Sequence, residues 1–237
     1  TLMPDNQEEF DKILGVLESF LMRRLITNLT PKNYNRLFVD LIKSIEKAGG
    51  PTGDAVAEQL AKSASDSNKF PTDDELLQAI FEQELYGRLA VKTVRAVLEA
   101  LDAYSMSSKS EAIAMPSNLT IEHVMPQTWL TYWPLPDADK VDPMTEQKAM
   151  VRRGAMLNTL GNLTLITGKF NSSLQNAAWA NKRPELLKYS KMNLTRYFHG
   201  TEADEWNELA IRERTKHLFA QLIKIWPSVK KPVVPGA

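Results

Sequence analysis

Apolar residues in the first hundred positions recur at three- and four-residue steps, with polar residues filling the positions between them. Phe10, Leu14, Leu17, Leu21 and Leu25 form one such stripe, which predicts an amphipathic helix with that stripe in the core. Thr30-Pro31 opens a second helix and Gly49-Gly50 closes it. Thr72 stands three residues before Glu75, the spacing of a capping box, and predicts another helix start. Val94, Val97, Leu98 and Leu101 line one face of a helix ending near Tyr104.

From Ser105 the pattern changes. The stretch SMSSKSEAIAMPSN is a connector of small residues, and it predicts a helical scaffold over 1–110 and a second domain over 111–237. LTIEHVM reads as a short strand, and TYWPLPDADKVDP as a loop rich in proline and aspartate. A helix is expected over about 145–157. LGNLTLITG then reads as a turn entering a second short strand, closed by Gly168. A helical region begins near Asn171, Pro184 opens a further helix, and a long amphipathic helix runs over about 202–226. Ile211, Leu218, Leu222 and Ile225 lie on one side of that last helix. The expected fold is mainly α with a small β-hairpin.

Composition narrows the chemistry. Hydrophobic residues make up 43% of the 237 and charged residues 24%, ordinary values for a globular chain. No apolar run approaches the ~20 residues that span a bilayer, so no membrane is expected as a partner. No signal peptide is legible, and a cytoplasmic location fits. The chain opens on Thr1 and is expected to be a piece of something longer. With no cysteine there is no disulfide, thiol nucleophile or zinc knuckle. The net charge of zero hides an asymmetry: residues 1–118 hold 13 basic and 18 acidic residues, and residues 119–237 hold 16 and 11. Between Lys148 and Arg196 there are nine basic residues and one acidic residue, Glu185. A local basic patch is what phosphate binding needs, whatever the sum over the chain. Lys182 and Arg183 are the first candidates for contacts to DNA phosphates, with Lys169, Arg152 and Arg153 behind them.

Of three histidines, His199 follows Tyr197-Phe198 in an expected turn and reads as structural, and His217 lies beside Lys216 on the terminal helix with no spacing that suggests a metal site. His123 is different, because it follows Glu122 at the end of the first strand, just before Pro126. Asn162 stands at the entry of the second strand, and Asn171 lies nine residues further on. Singly, these are a strand-end pair, a turn residue and a helix cap. Trp129, Trp133 and Trp179 are expected to pack in the core.

Taken in order, EHVMP, NLTL and Asn171 resemble the HNH branch of the His-Me finger (ββα-metal) endonucleases. TIEHVMPQ, LGNLTLITGKFNSSLQN, the residues around Lys182-Arg183 and the terminal helix resemble more narrowly the C-terminal nuclease domain of GmrSD-type restriction systems. The resemblance implies an α-helical N-terminal half followed by a ββα-metal nuclease core flanked by helices. It implies a metal-dependent DNA endonuclease of a modification-dependent antiphage system, acting on double-stranded phage DNA. His123 would be the general base, and Asn162 would hydrogen-bond the histidine or its backbone neighbourhood and so orient the ring. Glu122 and Asn171 would hold a divalent cation, Mg²⁺ or else Mn²⁺. An N-terminal nucleotide-hydrolysing domain would be the missing partner. Glu stands where the family usually has Asp, and adjacent strand residues point to opposite faces, so the family reading needs the strand end to relax that alternation or the metal to sit at the strand's edge. The alternative function is a catalytically idle DNA-binding or protein-interaction module on the same fold.

Overall fold

The computed structural model describes residues 7–47, 49–63, 65–106, 116–168 and 176–229. These fall into two compact units, the described parts of Thr1–Ala79 with Leu222–Ala237, and Ile80–Gln221.

The first unit is helical. It holds α1 (Gln7–Ile26), α2 (Tyr34–Lys47), α3 (Gly53–Ala61) and the beginning of α4 (Asp73–Glu82). The capping box forms as expected: the Thr72 hydroxyl accepts from Glu75 N–H at 3.2 Å, and the Glu75 carboxylate accepts from Thr72 N–H at 2.8 Å. The core gathers Phe20, Leu41, Ile45, Val56, Leu60 and Phe70.

The face of α1 that is buried differs from expectation. Phe10, Leu14, Leu21 and Leu25 are 38%, 48%, 37% and 37% exposed, while Phe20, Arg23, Arg24 and Ile26 are fully buried. The guanidinium groups explain the rotation. Arg24 donates to the carbonyls of Thr30, Asp66, Ser67 and Lys69, and Arg23 donates to those of Pro71 and Trp226 and to Asp73. Loop carbonyls with no ladder partner are satisfied by arginine, so the polar-looking face of α1 is the inward one.

The second unit carries α5 (Val91–Tyr104), β1 (Leu119–His123), α6 (Pro143–Leu157), β2 (Leu163–Thr167), α7 (Trp179–Tyr189) and most of α8 (Glu208–Ile225). Val94, Val97, Leu98 and Leu101 of α5 are fully buried, as their spacing predicts. Asp142 caps α6 by accepting from Met144 and Thr145 N–H, with Pro143 at the first helical position. Pro184 lies inside α7 and does not open a new helix. Asn207 caps α8, accepting from the N–H groups of Leu209 and Ala210, so that helix starts later than the apolar pattern suggests. Residues Asn193–His199 form a 3-10 segment before it.

β1 and β2 pair antiparallel, from Leu119 opposite Thr167 to His123 opposite Leu163. Trp129, Trp133, Trp179, Phe198 and Trp206 build an aromatic core in this unit, the three expected tryptophans among them. α8 lies against the turn before β2. A Cβ on Gly161 would run into the Thr215 hydroxyl and the Ile211 carbonyl. Fully buried Arg214 donates to the carbonyls of Gly161 and Leu163 at 2.9 and 2.7 Å and stacks over Phe198 at 4.9 Å. Glycine precedes Asn162 because the helix backbone passes there. Gly161→Ala is therefore expected to lower the unfolding free energy by about 1–3 kcal/mol, read as a lower urea midpoint with an unchanged slope.

Candidate functional site

β1 stops at His123, and Asn162 is what holds the chain beyond it. The Asn162 backbone carbonyl accepts from Val124 N–H at 2.9 Å, continuing the ladder by one rung. Its side-chain oxygen accepts from Met125 N–H at 2.8 Å and from the Trp206 indole at 3.1 Å. Its amide nitrogen donates to Met125 O at 2.8 Å and Leu157 O at 2.9 Å. Fully buried Asn162 thus takes both polar groups of Met125 and uses all four of its own side-chain bonds. It does not touch the imidazole. It clamps the main chain two residues past the histidine.

The two residues before that clamp face opposite ways. Glu122 is 5% exposed and forms an ion pair with Lys182, which reaches in from α7 and is fully buried. Lys182 Nζ also donates to His123 O at 2.7 Å. Burial pushes the Glu122 carboxyl up and the Lys182 ammonium down, and their attraction pulls each part of the way back. His123 is half-buried on the other face. Its Nε2 lies 2.9 Å from Asn158 Oδ1, and the Tyr86 ring meets it edge-on at 4.8 Å between centroids. Burial pushes the imidazole below its ordinary value. The Asn158 bond opposes that and the Lys182 charge adds to it. A group so placed stays neutral at neutral pH with a lone pair available, which suits a proton acceptor.

Regular alternation holds to the strand end, so Glu122 and His123 do not converge. As an expected metal ligand, Glu122 is committed to Lys182. Asn171 and Lys169 lie outside the described residues. No group of three or more His, Cys, Asp or Glu side chains able to hold a metal occurs among the described residues.

The expected phosphate contacts also divide. Lys182 and Arg153 are buried, and Arg153 is spent on Glu208 and Trp133 O, so neither faces solvent where a phosphate would approach. Arg183 holds the turn after α7, donating to Phe198 O, Gly200 O and Asp204. Arg152 is exposed and pairs with Asp139 at 3.2 Å. Asn158, Tyr86 and Gln127 carry no mark of this placement in the sequence. Asn158 looks like an ordinary helix C-cap in sequence, and nothing local marks Tyr86 as a neighbour of His123.

The model of one family, described as GmrSD restriction endonucleases, C-terminal domain, matches residues 70–221. The chain belongs to that family. The match spans more than half of the chain and takes in every residue of the site just described. Comparison with curated proteins gives no match. No described helix is long and apolar enough to cross a membrane. The GmrSD C-terminal domain is thus the frame in which the clamped histidine is placed.

The Glu122–Lys182 pair gives a stability test. Lys182→Met leaves a buried carboxylate unpaired and is expected to cost about 3–5 kcal/mol. Glu122→Leu combined with Lys182→Met is expected to recover most of that loss, less the bond to His123 O. Equal losses in chemical denaturation would show that the pairing does not set the cost.

Proposed function

We propose that this chain is a DNA endonuclease that hydrolyses phosphodiesters with His123 as general base. The observation that carries the reading is a half-buried imidazole at the end of a strand whose continuation is pinned by Asn162, in a chain of the GmrSD C-terminal family. The histidine takes a proton from water, the resulting hydroxide forms a bond to phosphorus, and the bond to the leaving oxygen breaks, that oxygen keeping the bonding pair and taking up a proton from a second water. The clamp fixes the direction from which the base acts, which is where a positioned proton acceptor gains its rate.

A divalent cation, Mg²⁺ or Mn²⁺, would supply charge stabilisation on the phosphate oxygens when bound. Of the two ligands expected for it, Asn171 remains the proposal, since Glu122 is neutralised by Lys182. Mg²⁺ keeps several waters and uses phosphate oxygens, so few protein ligands suffice. Double-stranded phage DNA carrying a modification, a nucleotide-hydrolysing N-terminal partner and a cytoplasmic setting belong to the same proposal. The commitment of Glu122 to Lys182 favours one second reading, a DNA-binding module without catalysis.

Plasmid cleavage separates the two. The chain is expected to cut or nick plasmid DNA with Mg²⁺ or Mn²⁺, to stop on chelation, and to be inactivated by His123→Ala with the fold intact. DNA retention with no metal-stimulated cleavage by either form would support the idle module. The pH profile gives a further check. The base form of His123 is the deprotonated one, and its folded value lies below the ordinary 6.5. Cleavage is therefore expected to be full at neutral pH and to fall as pH drops through a midpoint below 6.5. A midpoint at or above 6.5 would contradict the assignment.

A further inference from the structure

We propose that Asn158 is a positioning residue for His123, its side-chain oxygen holding the imidazole with the proton on Nε2 and leaving Nδ1 to accept a proton from water. The catalytic consequence rests on reading His123 as the base; the ring arrangement does not.

Gln127 Nε2 donates to Asn158 Oδ1 at 3.1 Å, and His123 Nε2 lies 2.9 Å from the same atom. An oxygen that accepts one N–H and faces a ring nitrogen at hydrogen-bond distance can only accept again, so that nitrogen carries the hydrogen. A neutral imidazole has one N–H, which leaves the lone pair on Nδ1. Tyr86, edge-on at 82° to the ring plane, packs against the imidazole and restricts its rotation.

Asn158 is itself well anchored, and by different atoms. It follows the last residue of α6, and its backbone carbonyl accepts from Leu85 N–H at 2.9 Å and Tyr86 N–H at 3.2 Å. The main chain therefore ties down the Leu85–Tyr86 segment, while the side chain serves His123 and Gln127. A side-chain substitution removes the second function and spares the first. Asn162 and Asn158 then divide the work. One fixes where the strand end lies, and the other fixes how the ring is turned and protonated.

Nitrogen-15 and proton spectra of the metal-free chain test this, since three histidines are few enough to assign. The wild-type ring is expected to be protonated on Nε2, with an Nε2–H signal protected from exchange with water. Asn158→Ala should lose that protection, Asn158→Asp should keep it by retaining an acceptor, and Gln127→Ala should weaken it. A ring protonated on Nδ1, or equal protection in Asn158→Ala and wild type, would overturn the proposal. In single-turnover plasmid cleavage, Asn158→Ala should lose on the order of 10- to 100-fold in rate with DNA affinity unchanged, and Asn158→Asp should regain part of it. An unchanged rate in folded Asn158→Ala would also overturn it. A wild-type chain that never cuts DNA would instead overturn the function, with the spectra still deciding the ring arrangement.

Discussion

The hydrogen bonds between Asn162 and Met125 are the constraint on which the rest of the site depends. A strand that ends at His123 leaves the next polar groups without a ladder, and these lie in a core of tryptophan and leucine where water does not reach. Each buried group left unpaired would cost about 1–3 kcal/mol. One side chain meets both Met125 groups, and its remaining bonds tie the clamp to Trp206 on one side and Leu157 on the other. The strand end, the turn before β2 and the aromatic core are therefore fixed relative to each other by a single asparagine. Gly161 and Arg214 hold the same turn against α8.

Charge is arranged around that frame by the alternation of the strand. On one face the Glu122 carboxylate is compensated by Lys182, and on the other burial pushes the histidine toward its neutral form. A buried pair of this kind is weak support for stability, because desolvation offsets most of the attraction. Its effect on the site is more specific. The ammonium bonds the His123 carbonyl and its field disfavours a second positive charge on the ring. The lysine that looked like a phosphate contact thus acts from behind the strand.

The helices, the hairpin and the order of the site residues were legible in the sequence because they are local. Thr72 and Glu75 cap their helix with each other, and the α5 stripe buries the residues its spacing selects. Lys182 and Arg153 were expected at phosphates because basic residues in a linear reading default to solvent, and Glu122 was expected on a cation because nothing local marks Lys182 as its partner. Whether a charge is buried depends on a partner dozens of positions away. The α1 stripe failed for the same reason. Periodicity showed that a helix forms, but the inward face was chosen by arginines satisfying loop carbonyls. Asn158 was missed because its helix-capping position gives no sign of the histidine beside it. The asparagine and glycine of LGNLTL were legible as a motif, but only the packing of α8 explains why they are adjacent.

Asn162→Asp separates the clamp from mere packing, since the carboxylate matches the amide in volume and can still accept from Met125 N–H and the Trp206 indole. It can donate to at most one of Met125 O and Leu157 O, and only in its protonated form. The decisive measurement is the single-turnover rate of metal-stimulated plasmid cleavage by this variant at saturating DNA, with folding confirmed alongside. The clamp predicts a rate at least about 10-fold below wild type with unchanged DNA affinity. A folded Asn162→Asp variant that cuts at the wild-type rate would contradict it.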